Sequence, residues 1–259
     1  MTTAPRPRPR HPHAPRRRGA APAARGAAAA RARPGREHPS AWRGPADLRG
    51  RVAMVTGAGR GCAAVAAALA ESGASVVIGA PDELAIGRVA RSVEARGGRA
   101  LALGTDLSDP NAVARLTEAA LGVFDRLDMA VNAPGRARGL DHLAEPDCRG
   151  VYFAVRHQLP AIAASGGGTI VNVALGPLGW SDDARCVVGL TRASALEHAG
   201  SGVRINALAR ESGDRGFAEA ACWLCSDATE DLNGAVASGP GGEPGHKPVT
   251  AGPPGGAAA

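Results

Sequence analysis

Val52-Ala53-Met54-Val55-Thr56-Gly57-Ala58-Gly59-Arg60-Gly61-Cys62-Ala63 is the stretch on which the reading of this chain turns. A short apolar run, rich in β-branched residues, ends in Thr-Gly. A glycine-rich turn follows, and then an alanine-rich segment with Val65 and Leu69 at helical spacing. Strand, tight turn and helix in that order form the first unit of a dinucleotide-binding fold. Glycine is required because the backbone must turn sharply and let a pyrophosphate approach the helix N-terminus. There the free N–H groups and the helix dipole favour an anion. The spacing is Thr-Gly-x-x-x-Gly. The Gly-x-Gly-x-x-Gly form is not met, because Cys62 stands where its last glycine would fall.

Outward from this turn the pattern is regular. The periodicity predicts strands at Val52–Thr56, Ser75–Ile78, Ala100–Leu103, Met129–Asn132, Thr169–Ala174, Val203–Leu208 and Ala235–Ser238. Helices are predicted between them: one closing at Gly73, then Asp82–Arg96, one from Pro110 capped by Ser108 or Asp109, Asp147–Ala164, Arg185–Ala199 and Phe217–Cys225. Strands alternating with helices imply a doubly wound parallel sheet covered on both faces, an α/β Rossmann fold in a single domain over residues 48–242.

The two ends of the chain have another composition. Residues 1–50 hold twelve Arg against Glu37 and Asp47, a local +10. The whole chain carries +6, so the remainder is 6 − 10 = −4, and the basicity belongs to the tail. Residues 1–47 alternate Pro, Arg and Ala with no apolar period and are expected to be disordered. The tail is read as inert. Binding to nucleic acid or an anionic surface ranks below that, and its prolines oppose the amphipathic helix of a transit leader. Residues 243–259 are Gly/Pro/Ala-rich and expected to be flexible. Neither a signal peptide nor a membrane span is expected. Cys62, Cys148, Cys186, Cys222 and Cys225 are odd in number and show no paired spacing, so a reduced, cytoplasmic setting is the simplest reading. Cys222-x-x-Cys225 lacks a second Cys/His pair and reads as two small residues of a helix rather than a metal or redox motif.

Five stretches, in order, resemble the short-chain dehydrogenase/reductase family. Thr56-Gly57-Ala58-Gly59-Arg60-Gly61 resembles its cofactor turn, with Ala63 in place of the last glycine. Asp106-Leu107 resembles the pair that contacts adenine, and Val131-Asn132-Ala133-Pro134-Gly135 the motif ending the fourth strand. Gly150–Phe153 with Leu159-Pro160 resembles the long interface helix, and Val203–Ala207 with Ala220–Asp227 the C-terminal third. The resemblance implies NAD or NADP as cofactor, held by Thr56, Gly57, Gly59, Arg60, Gly61, Asp106, Leu107, Asn132, Ala133 and Gly135. It also implies a homo-oligomer, dimer or tetramer, formed through the helices near 147–164 and 185–199, with Tyr152, Phe153 and Val187 as candidate contacts. The choice between the two cofactors stays open. Ala80 stands where the family often has Asp, Pro81 where Arg is common, and Asp82 also fits a helix cap.

The family's chemistry is another matter. It uses a Tyr as general acid/base, a Lys four residues later, a Ser that polarises the carbonyl and an Asn that holds a relay water. By counting from neighbouring motifs, these positions fall on Trp180, Ala184, Leu175 and Asp147. The chain has one tyrosine, Tyr152, and one lysine, Lys247, so Tyr-x-x-x-Lys occurs nowhere. Tyr near its ordinary pKa of about 10 is a poor base at neutral pH, which makes the missing cation a physical loss. Tyr152 with Arg156 reads as packing on the long helix, and Ser181-Asp182-Asp183 as a solvated turn. No catalytic residue is assigned. The segments 175–180 and 210–215 are also too short for the family's usual loops, which would leave a substrate pocket without a lid. Two functions follow: an oxidoreductase of small alcohols or ketones by resemblance, or a non-catalytic nucleotide-binding protein or partner subunit of an active paralogue. A nucleic-acid binder ranks last, for want of aromatic residues among the basic ones.

Overall fold

The computed structural model describes residues 46–57, 60–133, 148–175, 182–210 and 216–237. The elements run β1 (Val52–Thr56), α1 (Arg60–Glu71), β2 (Ser75–Ala80), α2 (Glu83–Glu94), β3 (Ala100–Gly104), α3 (Pro110–Phe124) and β4 (Met129–Asn132). They continue with α4 (Cys148–Ala164), β5 (Gly168–Leu175), α5 (Asp182–Glu197), β6 (Val203–Arg210), α6 (Phe217–Cys225), a 3-10 turn at Asp227–Thr229 and β7 (Val236–Ala237). All seven strands pair parallel in the order β3-β2-β1-β4-β5-β6-β7. The order reverses between β1 and β4, and the crevice beyond their C-terminal ends is where such a sheet takes a ligand.

Side-chain alternation divides the core. Ala53 and Val55 of β1, with Val76 and Ile78 of β2, face Val65 and Leu69 of α1 and the buried run of α6. Val52, Met54 and Val77 face the other way, onto Leu116 and Ala120 of α3, Val151 and Val155 of α4 and Val187 of α5. With few aromatics, small aliphatic side chains fill both layers, each fully buried one contributing roughly 1.5–3 kcal/mol if it is Val, Leu or Ile.

The helix ends follow their chemistry. Gly73, at φ +97°, closes α1: its N–H donates to the Ala70 carbonyl at 2.9 Å, and the next N–H, of Ala74, donates to Leu69 at 3.1 Å. Gly166 and Gly167 close α4 in the same way, onto Ala163 and Ile162. Asp82 caps α2, accepting from the Ala85 N–H at 2.9 Å, and Asp109 caps α3 ahead of Pro110.

Three expectations are corrected. β2 and β6 each run two residues past their expected ends, and β5 one residue past each of its limits; in β2 the backbone pairing continues through the small residues Gly79 and Ala80, whose carbonyls accept from the N–H groups of Gly57 and Thr105. Asp182 and Asp183 open α5 instead of forming a turn. Cys148 and Cys186 form a disulfide, with Cα atoms 5.8 Å apart, that joins the first residue of α4 to the first half of α5. This overturns the expectation of five unpaired thiols, and with it the inference from the cysteines to a reducing compartment. Of the expected tails, only Ala46 and Asp47 lie among the described residues. Leu48 is buried, and its N–H bonds to the Ser72 carbonyl.

Candidate functional site at the C-terminal edge of the sheet

The glycine turn begins where β1 meets its neighbours. Gly57 adopts φ +124°, and a Cβ there would overlap the carbonyl oxygen of Ala133. Its N–H donates to Gly79 at 2.9 Å, while Ala133 N–H donates to Thr56 at 2.9 Å. The turn is therefore pressed against the ends of both β2 and β4, and only glycine fits. α1 starts at Arg60 with no acidic residue in its first turn, which suits a pyrophosphate at its N-terminus. Gly61 is buried within that turn. Cys62 lies beneath it, its thiol 4.0 Å from the Thr56 carbonyl and 3.9 Å from that of Ala133. Burial pushes this thiol up to about 11, so it is a packing group and not a nucleophile.

Below the edge runs a row of buried polar side chains. Thr56, Asn132 and Asn172 stand opposite one another on β1, β4 and β5. The Thr56 hydroxyl donates to Asn132 Oδ1 at 2.8 Å. Asn132 and Gln158 of α4 exchange amide hydrogen bonds at 2.8 and 2.9 Å, and Asn132 Nδ2 also donates to Asn172 at 3.1 Å. Asn172 Nδ2 donates to Thr191 of α5 at 3.0 Å, and the Thr191 hydroxyl donates to the Val187 carbonyl at 2.7 Å. All five side chains are fully buried. The Asn132 amide is thus saturated by protein partners, and what it holds in place is the edge of the sheet. Gln158, Asn172 and Thr191 were not singled out from the sequence. The available signal was a polar residue inside an apolar run, such as Asn172 within Ile170–Ala174.

Asp106 is exposed just past β3, its Oδ1 accepting from the N–H and hydroxyl of Ser108 at 2.9 and 2.8 Å. Leu107 packs against α4 where Gly150 leaves room, a Cβ there lying 3.1 Å from that of Leu107. Ala133 is buried. Gly59, Gly135, Asp147, Trp180 and Ser181 lie outside the described residues, as does the side chain of Arg60. At the end of β2, Ala80 is buried and Asp82 is committed to its cap, so neither marks a ribose partner.

At the positions assigned to chemistry, Ala184 is 1 % exposed on the inner face of α5. Tyr152 is 45 % exposed on α4, its ring against Phe153 at 5.7 Å, and Arg156 is exposed one turn on. Val187 belongs to the core and is withdrawn as an intersubunit contact. Cys222 and Cys225 are buried in α6, where burial pushes the Cys222 thiol up to about 12 and the Cys225 thiol further in the same direction. They are core residues.

The family model described as short chain dehydrogenase matches residues 51–176. A cis-4-hydroxycyclohexanecarboxylate dehydrogenase of Sinomonas cyclohexanicum is 41% identical over 61% of this chain and 72% of its own length. The chain belongs to the short-chain dehydrogenase/reductase family. The cyclohexanol dehydrogenase of Acinetobacter sp. strain SE19 is 32% identical over 61% of this chain and 71% of its own. A solved short chain dehydrogenase from Mycobacterium smegmatis superposes with a TM-score of 0.65 at 28% identity, covering 74% of this chain and 92% of that one. The fold and the oxidoreductase family expected from the sequence are thereby established. Among the described residues no helix is long and apolar enough to cross a membrane.

Proposed function

We propose that this chain is a family member that binds a nicotinamide dinucleotide at its glycine turn but has lost the side chains for hydride transfer. The observation that carries this reading is where Tyr152 and Ala184 stand. The only tyrosine stands on an exposed face of α4, and the position where the resemblance expects a lysine is a buried alanine of α5. A lysine there would bind the ribose and acidify a neighbouring tyrosine; alanine does neither, and the indole N–H of Trp180 can only donate. Gly57, Gly61, the first turn of α1 and Asp106 support binding of the dinucleotide, whether NAD or NADP. Exposed Tyr152 on α4 and Leu196 on α5, 45 % and 55 % accessible, support assembly of two or four copies through these helices.

The test is a titration with NADH and with NADPH, read by nicotinamide fluorescence, followed by a dehydrogenase assay. Cyclohexanol and 4-hydroxycyclohexanecarboxylate, the alcohols named for the two relatives, belong in the substrate panel. Binding without turnover above background is expected. A Gly61→Trp variant removes the binding. Robust cofactor-linked turnover of any alcohol or ketone overturns the loss of chemistry, and absence of binding to either cofactor overturns the whole reading.

A further inference from the structure

At the opposite end of the sheet, where β1, β4, β5 and β6 begin, lies a cavity of about 380 Å³. Arg51, Arg126 and Arg204 line it, with Asp128, Asp227 and a glycine-bare floor at residues 166–168. Two of the cations have carboxylate partners. Arg51 meets Asp227 at 3.0 Å, and Arg126 meets Asp128 at 2.9 and 2.6 Å. The third does not. Arg204 donates to the carbonyls of Thr229 at 2.8 Å and Ser226 at 3.2 Å and to the Thr229 hydroxyl at 3.1 Å, all neutral. Burial pushes its guanidinium down from the ordinary value; the charge of Asp227 works against this and that of Arg51 with it. Opposite Arg204 in the β5–β6 register stands Thr169, 1 % exposed, whose hydroxyl has no hydrogen-bond partner. A buried hydroxyl left unpaired is costly, and a bound ion or water is one way such a group is satisfied.

We propose that this cavity binds a small oxyanion of the phosphate class. Three guanidinium groups against two carboxylates give the wall a formal excess of one positive charge. Asp128 is held by the Val52 N–H at 2.8 Å as well as by Arg126 and stays in place. Asp227 is 75 % exposed, so its pair with Arg51 is weak and exchanges readily for a better acceptor. An anion seated there accepts from Arg51 and Arg204, whose planar forks suit tetrahedral oxyanions, and from the orphaned Thr169 hydroxyl. At Gly166 the place of a Cβ is open space, so nothing on that side crowds the ligand. The volume lies at the low end for small-molecule pockets and has room for a phosphate or a small phosphomonoester together with its waters. The cavity lies at the other end of the strands from Gly57, so this site is separate from the proposed cofactor turn.

The test uses the full chain and compares sodium phosphate with sodium chloride at matched ionic strength, reading the thermal unfolding midpoint. A second arm substitutes glycerol phosphate. A saturable rise in midpoint is expected, in phosphate alone if the source is the free ion and with glycerol phosphate as well if it is an ester. Thr169→Val is the deciding variant: it fits the same space and removes a hydroxyl that has no protein partner, so it folds in chloride as the wild type does. It should weaken phosphate binding about tenfold, the worth of one hydrogen bond to a charged group. Arg51→Gln should do the same. The Arg-rich tail and the turn at Gly57 are identical in these variants, so phosphate held at either place leaves Thr169→Val indistinguishable from wild type, and that result overturns the proposal. So does an equal midpoint in the two salts.

Discussion

Cys148 and Cys186 offer the sharpest test of the structure, because the sequence argued against pairing them. Replacing both with serine removes a cross-link between residues 38 apart in the chain. In the chain-entropy account, closing such a loop lowers the entropy of the unfolded state by about 13 cal/mol/K, or about 4 kcal/mol at 25 °C. That is a large part of the 5–15 kcal/mol that holds a typical domain together. For a domain of this size it corresponds to a fall of about 8–16 °C in Tm. Cys186 is exposed, so a dithiol reductant reaches the bond without unfolding the chain. Denaturant unfolding should therefore show the oxidised wild type well above the Cys148→Ser/Cys186→Ser variant, and the two should converge once reductant is added. Thiol counting gives an independent reading. The unfolded, unreduced wild type should present three reactive thiols, from Cys62, Cys222 and Cys225, and the reduced protein five. Five thiols without reductant, in protein purified under air, would refute the pairing, and equal stability of oxidised and reduced protein would refute the entropic reasoning.

Three other outcomes follow from the same structure. The thiols of Cys62 and Cys222, raised to about 11 and about 12 from 9.0, should resist alkylation at pH 8 in the folded state. Their contribution is full below pH 9, and as pH rises from there toward 11–12 the unfolded thiols ionise while the folded ones do not. Stability should then fall by about 1.4 kcal/mol per pH unit for each thiol, read by denaturant titration at pH 8, 9 and 10; a flat profile contradicts the assignment. Asn132→Ala leaves Thr56, Gln158 and Asn172 short of partners at about 1–3 kcal/mol per orphaned group, and a loss under 1 kcal/mol in chemical denaturation would show that the buried row is not the network described. Gly57→Ala places a methyl group into the Ala133 carbonyl at a positive φ, so it should cost about 3 kcal/mol or more and abolish dinucleotide binding together, in thermal melts and fluorescence titration.

The sheet was legible because its strands are buried on both faces. Val52–Thr56 and Met129–Asn132 read as short apolar runs between turn signals, and the strands have those limits. The caps at Gly73, Asp82 and Asp109 were legible because each satisfies a local backbone need that the sequence states within four residues. What was not legible depends on side chains that meet only in space. Gly79-Ala80 looks like a strand's end, yet the pairing continues because Leu116 packs where a Gly79 side chain would stand. Cys148 and Cys186 show no motif spacing; the meeting of α4 and α5 brings them together. Arg51, Arg126 and Arg204 are scattered over the chain, and only the parallel topology gathers the starts of their strands around one cavity.

The stability of this molecule and the chemistry of its family reside in different residues. The polar row from Thr56 through Asn132 and Asn172 to Thr191 crosses three strands and ties α4 and α5 to the sheet, and none of its members is a position assigned to the hydride-transfer machinery. Two of those positions, Leu175 and Ala184, lie at the end of β5 and the start of α5. At Ala184 the substitution even favours the fold. An ammonium at a site 1 % exposed would have to be desolvated or given a partner, and a methyl group needs neither. A stable scaffold therefore makes no demand for a lysine at this position. The fold and the relatives establish membership of the family, and on the proposed reading a comparison of binding with turnover is the measurement that tests the chemistry.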